Sequence, residues 1–288
     1  MLDDGGLLAG RYHLDRPVGR GSNGDVWKAT DVRSKTVCAV KMLSTRQPFD
    51  EARFLRSARL AARLEARHAV RIFDFGVAKG AYPYIVTELL RGETLARRLD
   101  REGRLRPETL VPILEQVTDA LVEAHQLGIV HGGLEPATVV LQPGQEREEV
   151  RVIEFGIGSL FDTFEPADVT PLPLSGPSRS VASALGHKAP EQVKGEGEPG
   201  TAADVWALGV MAYTVLTGRR PFLGESLPAL SEAILACDSL PAHEVVRELP
   251  ARFDDWFREV CRVDPKDRPT DLRKLMRSLR AVFPSVED

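Results

Sequence analysis

A glycine-spaced turn, followed shortly by a single lysine inside an apolar strand, constrains this chain more than any other feature. The turn reads Gly19-Arg20-Gly21-Ser22-Asn23-Gly24-Asp25-Val26, with glycines at G-x-G-x-x-G spacing. A backbone without Cβ atoms at those points can approach phosphate oxygens closely. The same spacing also serves a plain turn between strands, because glycine marks hairpins generally. The next segment, Val37-Cys38-Ala39-Val40-Lys41-Met42, reads as a strand whose alternation puts Val37, Ala39 and Lys41 on one face. An ammonium in an apolar strand is unfavourable unless an anion or carboxylate meets it. The glycine turn supplies a reason for it.

Around this pair the chain divides in two. Residues 12–88 are mostly short apolar strands, interrupted by one arginine-rich helical stretch at 50–66. After Leu89-Leu90-Arg91-Gly92 the apolar spacing becomes helical, at 107–127, 203–216 and 253–262. The predicted fold class is α+β: a small strand-rich lobe with one main helix, then a larger helical lobe. Residues 158–189 hold Pro166, Pro171, Pro173 and Pro177 among many Ser and Thr, which fits a long loop. The acidic run at 146–149 reads as a solvated turn between strands.

A length of 288 residues suits one two-lobed domain with a core large enough to be stable alone. The net charge of −4 gives no reason to expect nucleic acid or an anionic membrane as partner. Cys38, Cys237 and Cys261 are odd in number and lack metal-ligand spacing, so a reduced, cytoplasmic setting is expected. The acidic start of the chain does not read as a secretory signal, and no apolar run approaches membrane-spanning length.

The glycine turn and Val37-Cys38-Ala39-Val40-Lys41 resemble the start of the bacterial, eukaryotic-like (Hanks-type) serine/threonine protein kinase family, whose G-x-G-x-x-G-x-V loop precedes an A-x-K strand. Later segments extend the resemblance: Ala189-Pro190-Glu191 is similar to its A-P-E, Asp204-Val205-Trp206-Ala207-Leu208-Gly209 to its D-x-W-S-x-G, and Asp264-Pro265-Lys266-Asp267-Arg268-Pro269 to its D-P-x-x-R-P. The resemblance implies a two-lobed kinase domain over 12–283, with lobes at 12–88 and 92–283, a hinge at 88–91, and short tails at 1–11 and 284–288. It implies a nucleotide cleft formed by Gly19, Gly21, Gly24 and Lys41, with Val26 and Ala39 above the adenine, Val140 below it, Thr87 as gatekeeper, and Glu88 and Leu90 in the hinge. It further implies that Arg268 bonds Glu191 and that His131 packs on Phe155.

The catalytic pattern departs from the family. Where the family has H-R-D-L-K-P-x-N, this chain reads His131-Gly132-Gly133-Leu134-Glu135-Pro136-Ala137-Thr138. Gly133 cannot orient an attacking hydroxyl or accept its proton, and Thr138 offers a neutral hydroxyl where an amide oxygen would hold magnesium. Glu135 reverses a charge where negative charge develops. The D-F-G position reads Glu154-Phe155-Gly156, at the end of a strand expected to put Val150, Val152 and Glu154 on one face. Ser57 stands where the family's glutamate would pair with the lysine, and Ala184 where a threonine would bond the catalytic aspartate. Nearby aspartates, Asp119 in a helix and Asp162 in the long loop, sit in the wrong context to substitute.

These departures imply a catalytically impaired kinase fold, a pseudokinase, that binds an active kinase or regulatory protein. A weak serine/threonine kinase is the other reading. ATP or ADP is the implied nucleotide, with magnesium weakly held or absent and Glu154 the one residue left to hold it. The residues leave a nucleotide-bound slot and an empty one both open. With Ser57 unable to pair, Lys41 is expected to turn to Glu154. Arg53, Arg56, Arg59, Arg63 and Arg67 form either a solvated face or a docking ridge for an acidic or phosphorylated partner. Thr163, Thr170, Ser175, Ser178, Ser180 and Ser183 are candidate phosphate acceptors, and Gly132 replaces the arginine that would read such a phosphate.

Overall fold

The computed structural model describes residues 6–21, 24–43, 50–79, 82–145, 147–157 and 184–284. Ser22 and Asn23 at the tip of the glycine turn, Glu146, Asp162, and all six candidate phosphate acceptors lie outside the described residues.

The first lobe is a six-stranded antiparallel sheet in the order β1-β2-β3-β4-β6-β5. Its strands are β1 (Leu7–Leu8), β2 (Tyr12–Gly21), β3 (Gly24–Asp31), β4 (Val37–Leu43), β5 (Ile72–Ala78) and β6 (Tyr82–Thr87). Alternation along β4 sorts its side chains as a pleated strand must. Cys38, Val40 and Met42 join Leu8, Tyr12, Tyr84 and Val86 in one cluster, while Leu43 joins Ile85 and the helix on the other face. The sheet begins earlier than the sequence suggested. Leu7 and Leu8, placed in an N-terminal tail, pair with His13 and Tyr12, and Leu8 is fully buried there. Two residues are too short a run for alternation to be visible, and only the partner strand reveals them.

Helix α1 (Glu51–Ala61) is capped by the Asp50 side chain, which accepts from the Arg53 N–H. Its stripe of Phe54, Ala58 and Ala61 packs under the sheet. The helix was expected to reach residue 66, but it closes at Ala61 because Leu64, Ala66 and Ala69 turn away into the core of the second lobe. That segment also ties the lobes: Val152 N–H donates to the His68 carbonyl at 2.7 Å and Val70 N–H to the Val152 carbonyl at 2.9 Å.

The second lobe holds α2 (Leu95–Glu102), α3 (Pro107–Gln126) and a three-stranded sheet of β7 (Glu93–Thr94), β8 (Val139–Gln142) and β9 (Glu149–Val152). Further along come helices Thr201–Thr217, Arg252–Val260 and Leu272–Val282. The helix Thr201–Thr217 is buried on nearly every side, which its almost unbroken apolar sequence requires. Gly209 lets the Val260–Cys261 turn come close, since a Cβ there would lie 2.6 Å from Val260 Cγ1. The acidic run is less solvated than expected: Glu148 pairs with Arg98 at 2.5 Å, and Glu149 opens β9 and pairs with Arg67 at 3.3 Å. No helix among the described residues is long and apolar enough to cross a membrane.

Candidate functional site

The cleft between the lobes is roofed by β3 and β4. Their register sets Val26 opposite Lys41 and Lys28 opposite Ala39, while Ala39 faces Thr87 and Lys41 faces Ile85 on β6. Gly24 opens β3 at φ 136°, and a Cβ there would lie 1.8 Å from the Met42 carbonyl oxygen. Only glycine fits. Gly19 meets no such clash.

Below, Val140 on β8 is buried, and residues 88–91 pass from one lobe to the other without regular structure. The Thr87 hydroxyl donates to the Glu88 carbonyl at 3.1 Å. The Glu88 carboxylate accepts from the Arg71 N–H at 2.9 Å and lies 3.9 Å from the Arg151 guanidinium. Its charge is therefore engaged between β5 and β9. Leu90 is half-buried in the same connection.

Lys41 forms an ion pair with Glu154, and both side chains are mostly shielded from water. Ser57 on α1 is half-buried and carries no carboxylate. The expected partnership of Lys41 and Glu154 is present, although strand alternation is not what aims Glu154. β9 ends at Val152, and the backbone then turns, with Glu154 at φ 70°. That left-handed conformation is strained for a residue with a side chain and needs surrounding contacts to hold it.

The segment 131–138 is held by residues remote in sequence. Asp204, 1% exposed at the start of the central helix, accepts from the His131 N–H at 2.9 Å, the Gly132 N–H at 2.9 Å and His125 Nε2 at 2.7 Å. Gln192 Nε2 donates to the Gly132 carbonyl at 2.8 Å, and Gly132 itself sits at φ 72°. The His131 ring packs 4.8 Å from that of Phe155, as expected, and Nε2 lies 3.0 Å from the Ile153 carbonyl. Burial holds its pKa below the ordinary imidazole range.

The loop is thus rigidly placed. Gly133, half-buried, presents no side chain there. The Thr138 hydroxyl donates to the Glu135 carbonyl at 2.9 Å and accepts from the Glu135 N–H at 3.1 Å, closing the loop on itself. Ala184 opens the segment that leads to Ala189-Pro190-Glu191. Arg268 clasps Glu191 through two bonds of 2.7 Å each and is itself buried, as the resemblance implied. Among the described residues, no group of three or more His, Cys, Asp or Glu side chains could hold a metal ion.

Val26, Ala39 and Val140 give the cleft apolar side chains at one end, and the polar groups at its other end already have partners within the chain. Thr138 is committed to its own loop, and Glu154 to Lys41. Sequence reasoning missed Asp204 and Gln192 as the residues that hold the loop. A signal existed for Asp204, because a carboxylate opening an apolar helix calls for donors as surely as Lys41 calls for an acid.

A sheet over one helix, a helical second lobe, a lysine on the strand paired with the one that follows the glycine turn and a loop tethered to the central helix together define a two-lobed protein kinase fold. A family model described as "Protein kinase domain" matches residues 12–279, and the chain belongs to that family. It is 29% identical over 279 residues to the serine/threonine-protein kinase PknL of Mycobacterium tuberculosis, covering 96% of this chain and 66% of the relative. It is 31% identical over 285 residues to the serine/threonine-protein kinases drp72 of Corynebacterium efficiens, covering 96% of this chain and 51% of the relative. Against the serine/threonine-protein kinase PknA of Mycobacterium bovis, identity is 34% over 228 residues, covering 77% of this chain and 50% of the relative. The chain spans between half and two thirds of the length of these relatives.

Proposed function

We propose that this chain is a kinase-fold binding module with impaired phosphoryl transfer, which engages a protein partner, either an active kinase or a regulatory protein. The observation that carries this reading is the pairing of Lys41 with Glu154 beside a loop that has Gly133 where a carboxylate would orient the attacking hydroxyl. Glu135 adds negative charge in the same loop. Losing the base alone costs several powers of ten in comparable catalytic units, and such losses overlap when partners are lost with it. ATP or ADP in the adenine slot, between Val26, Ala39 and Val140, would set the conformation the partner reads. Magnesium has at most Glu154 as a ligand in this reading. The three free thiols fit the cytoplasmic setting we assign.

A weak serine/threonine protein kinase using ATP is the second reading. The comparisons favour it, because the relatives cited above are all named as serine/threonine-protein kinases. It requires Lys41 to leave Glu154 for a phosphate.

Two measurements separate the readings. Thermal melting with ATP or ADP, with and without magnesium or manganese, is expected to show stabilisation that does not depend on the metal. Transfer from radiolabelled ATP to protein is expected at background level, equal to that of Lys41→Met. Incorporation of label that disappears in Lys41→Met establishes the second reading and removes the first.

A further inference from the structure

Helix α1 separates its residues by chemistry as well as by burial. Its buried side is Phe54, Ala58 and Ala61. At about 100° per residue, Arg56, Arg59 and Arg63 emerge from the opposite side as one stripe. Arg63 lies just past the last turn, where its N–H still bonds the Leu60 carbonyl at 3.0 Å. All three are exposed, and no carboxylate among the described residues pairs with them. Their neighbours behave differently: Arg53 pairs with Glu198 at 2.8 Å and Arg67 with Glu149 at 3.3 Å. Like charges at such spacings weaken a helix, and the chain as a whole is net negative at −4. Arg59, in the last turn, complements the helix dipole, whereas Arg56 lies outside that turn and gains nothing from it.

We propose that Arg56, Arg59 and Arg63 form a docking surface for an extended acidic segment of a protein, with Asp or Glu at alternate positions. The helical rise separates Arg56 from Arg59 by about 4.5 Å and Arg59 from Arg63 by about 6 Å along the axis. Carboxylates on one face of an extended strand recur every ~6.6 Å, a spacing that flexible arginine side chains can follow. The planar guanidinium takes a carboxylate through two parallel hydrogen bonds, which lysine cannot do. The helix packs directly beneath the sheet that carries Lys41, so the docked segment sits one helix away from the cleft. The surface does not depend on whether phosphoryl transfer survives.

The probe is a fluorescein-labelled peptide of alternating Glu and Ser, followed by anisotropy. The native protein is expected to bind it, several-fold more weakly when ionic strength rises from about 0.05 to about 0.2 M. Arg56→Glu/Arg59→Glu/Arg63→Glu is expected to weaken binding by about tenfold or more. The same charge change on the last helix, Arg273→Glu/Lys274→Glu/Arg277→Glu, is expected to alter it by no more than about twofold. If the α1 reversal fails to fold by circular dichroism, the glutamine version of the same triple change replaces it, with a several-fold loss expected. No binding by the native protein, equal binding by the α1 variant, or equal loss in the last-helix control overturns the proposal. So does α1-dependent binding of phosphatidylserine vesicles or duplex DNA without binding of the peptide.

Discussion

The loop at 131–138 and the roof formed by β3 and β4 face each other across the cleft, and they differ in what holds them and what they present. The roof retains its glycine at position 24, its apolar Val26 and Ala39, and its lysine. The loop is held in position through Asp204, Gln192 and His131, while positions 133, 135 and 138 carry Gly, Glu and Thr. The contrast teaches that the groups placing a catalytic loop are distinct from the groups that react in it. Buried backbone N–H groups must be satisfied for the chain to fold, so the placing groups are under a physical demand that the reacting groups escape.

The comparison is broken hardest at the scaffold. Arg268→Ala leaves Glu191 partly buried and unpaired, and is expected to destabilise the protein by about 3–5 kcal/mol in urea unfolding. A smaller change would mean that the scaffold is less dependent on this clasp than its two bonds of 2.7 Å imply.

Acid should reach the loop next. His131 is held neutral by burial, its pKa lower in the folded than in the unfolded chain. Below the unfolded pKa of about 6.5 the unfolded state takes up the proton and the folded state does not, so stability falls as pH falls, by up to about 1.4 kcal/mol per pH unit. His68, also depressed by burial, adds to the slope. Unfolding of His131→Phe measured between pH 7 and pH 5 should show a shallower slope than the unsubstituted protein, and an unchanged slope would remove His131 as a source.

In the cleft the effects should be smaller. Glu154→Gln leaves the Lys41 ammonium partly buried without its carboxylate and is expected to cost about 1–2 kcal/mol. Lys41→Met/Glu154→Leu should recover most of that loss, because two apolar chains need no partner. A double variant as unstable as the single one would show that the pair is doing something other than neutralising Lys41.

The smallest effect belongs to the exposed bridge between the lobes, Arg53 to Glu198 at 2.8 Å. Arg53→Ala should change the melting free energy by no more than about 0.5 kcal/mol, in line with solvent-exposed pairs. A larger loss, read in the same unfolding series, would make this bridge part of the scaffold.

Much of the site was legible because its signals are local. Alternation placed Lys41 and Ala39 on one face of β4, and the need of a buried ammonium for an acid led to Glu154 once Ser57 was seen in the helix. The clasp of Arg268 on Glu191 and the packing of His131 on Phe155 followed from the family resemblance. The early end of α1 and the strand at Leu7–Leu8 were not legible, since each depends on a competing partner elsewhere in the chain. The run at 146–149 does connect two strands as expected, but the partners of Glu148 and Glu149 were not legible, because Arg98 and Arg67 are far away in sequence.

By itself the sequence determined which chemical groups could be present in the cleft, because no folding can give Gly133 or Ser57 a carboxylate. The tertiary structure alone decided which groups meet. It turned Glu154 out of the strand and onto Lys41, closed Thr138 on its own loop, brought Asp204 to three donors, and among the described residues left Arg56, Arg59 and Arg63 without acids while pairing their neighbours. Residue identity fixes charge and hydrogen-bonding capacity locally, whereas partnership depends on distances between segments that only the packed chain brings together.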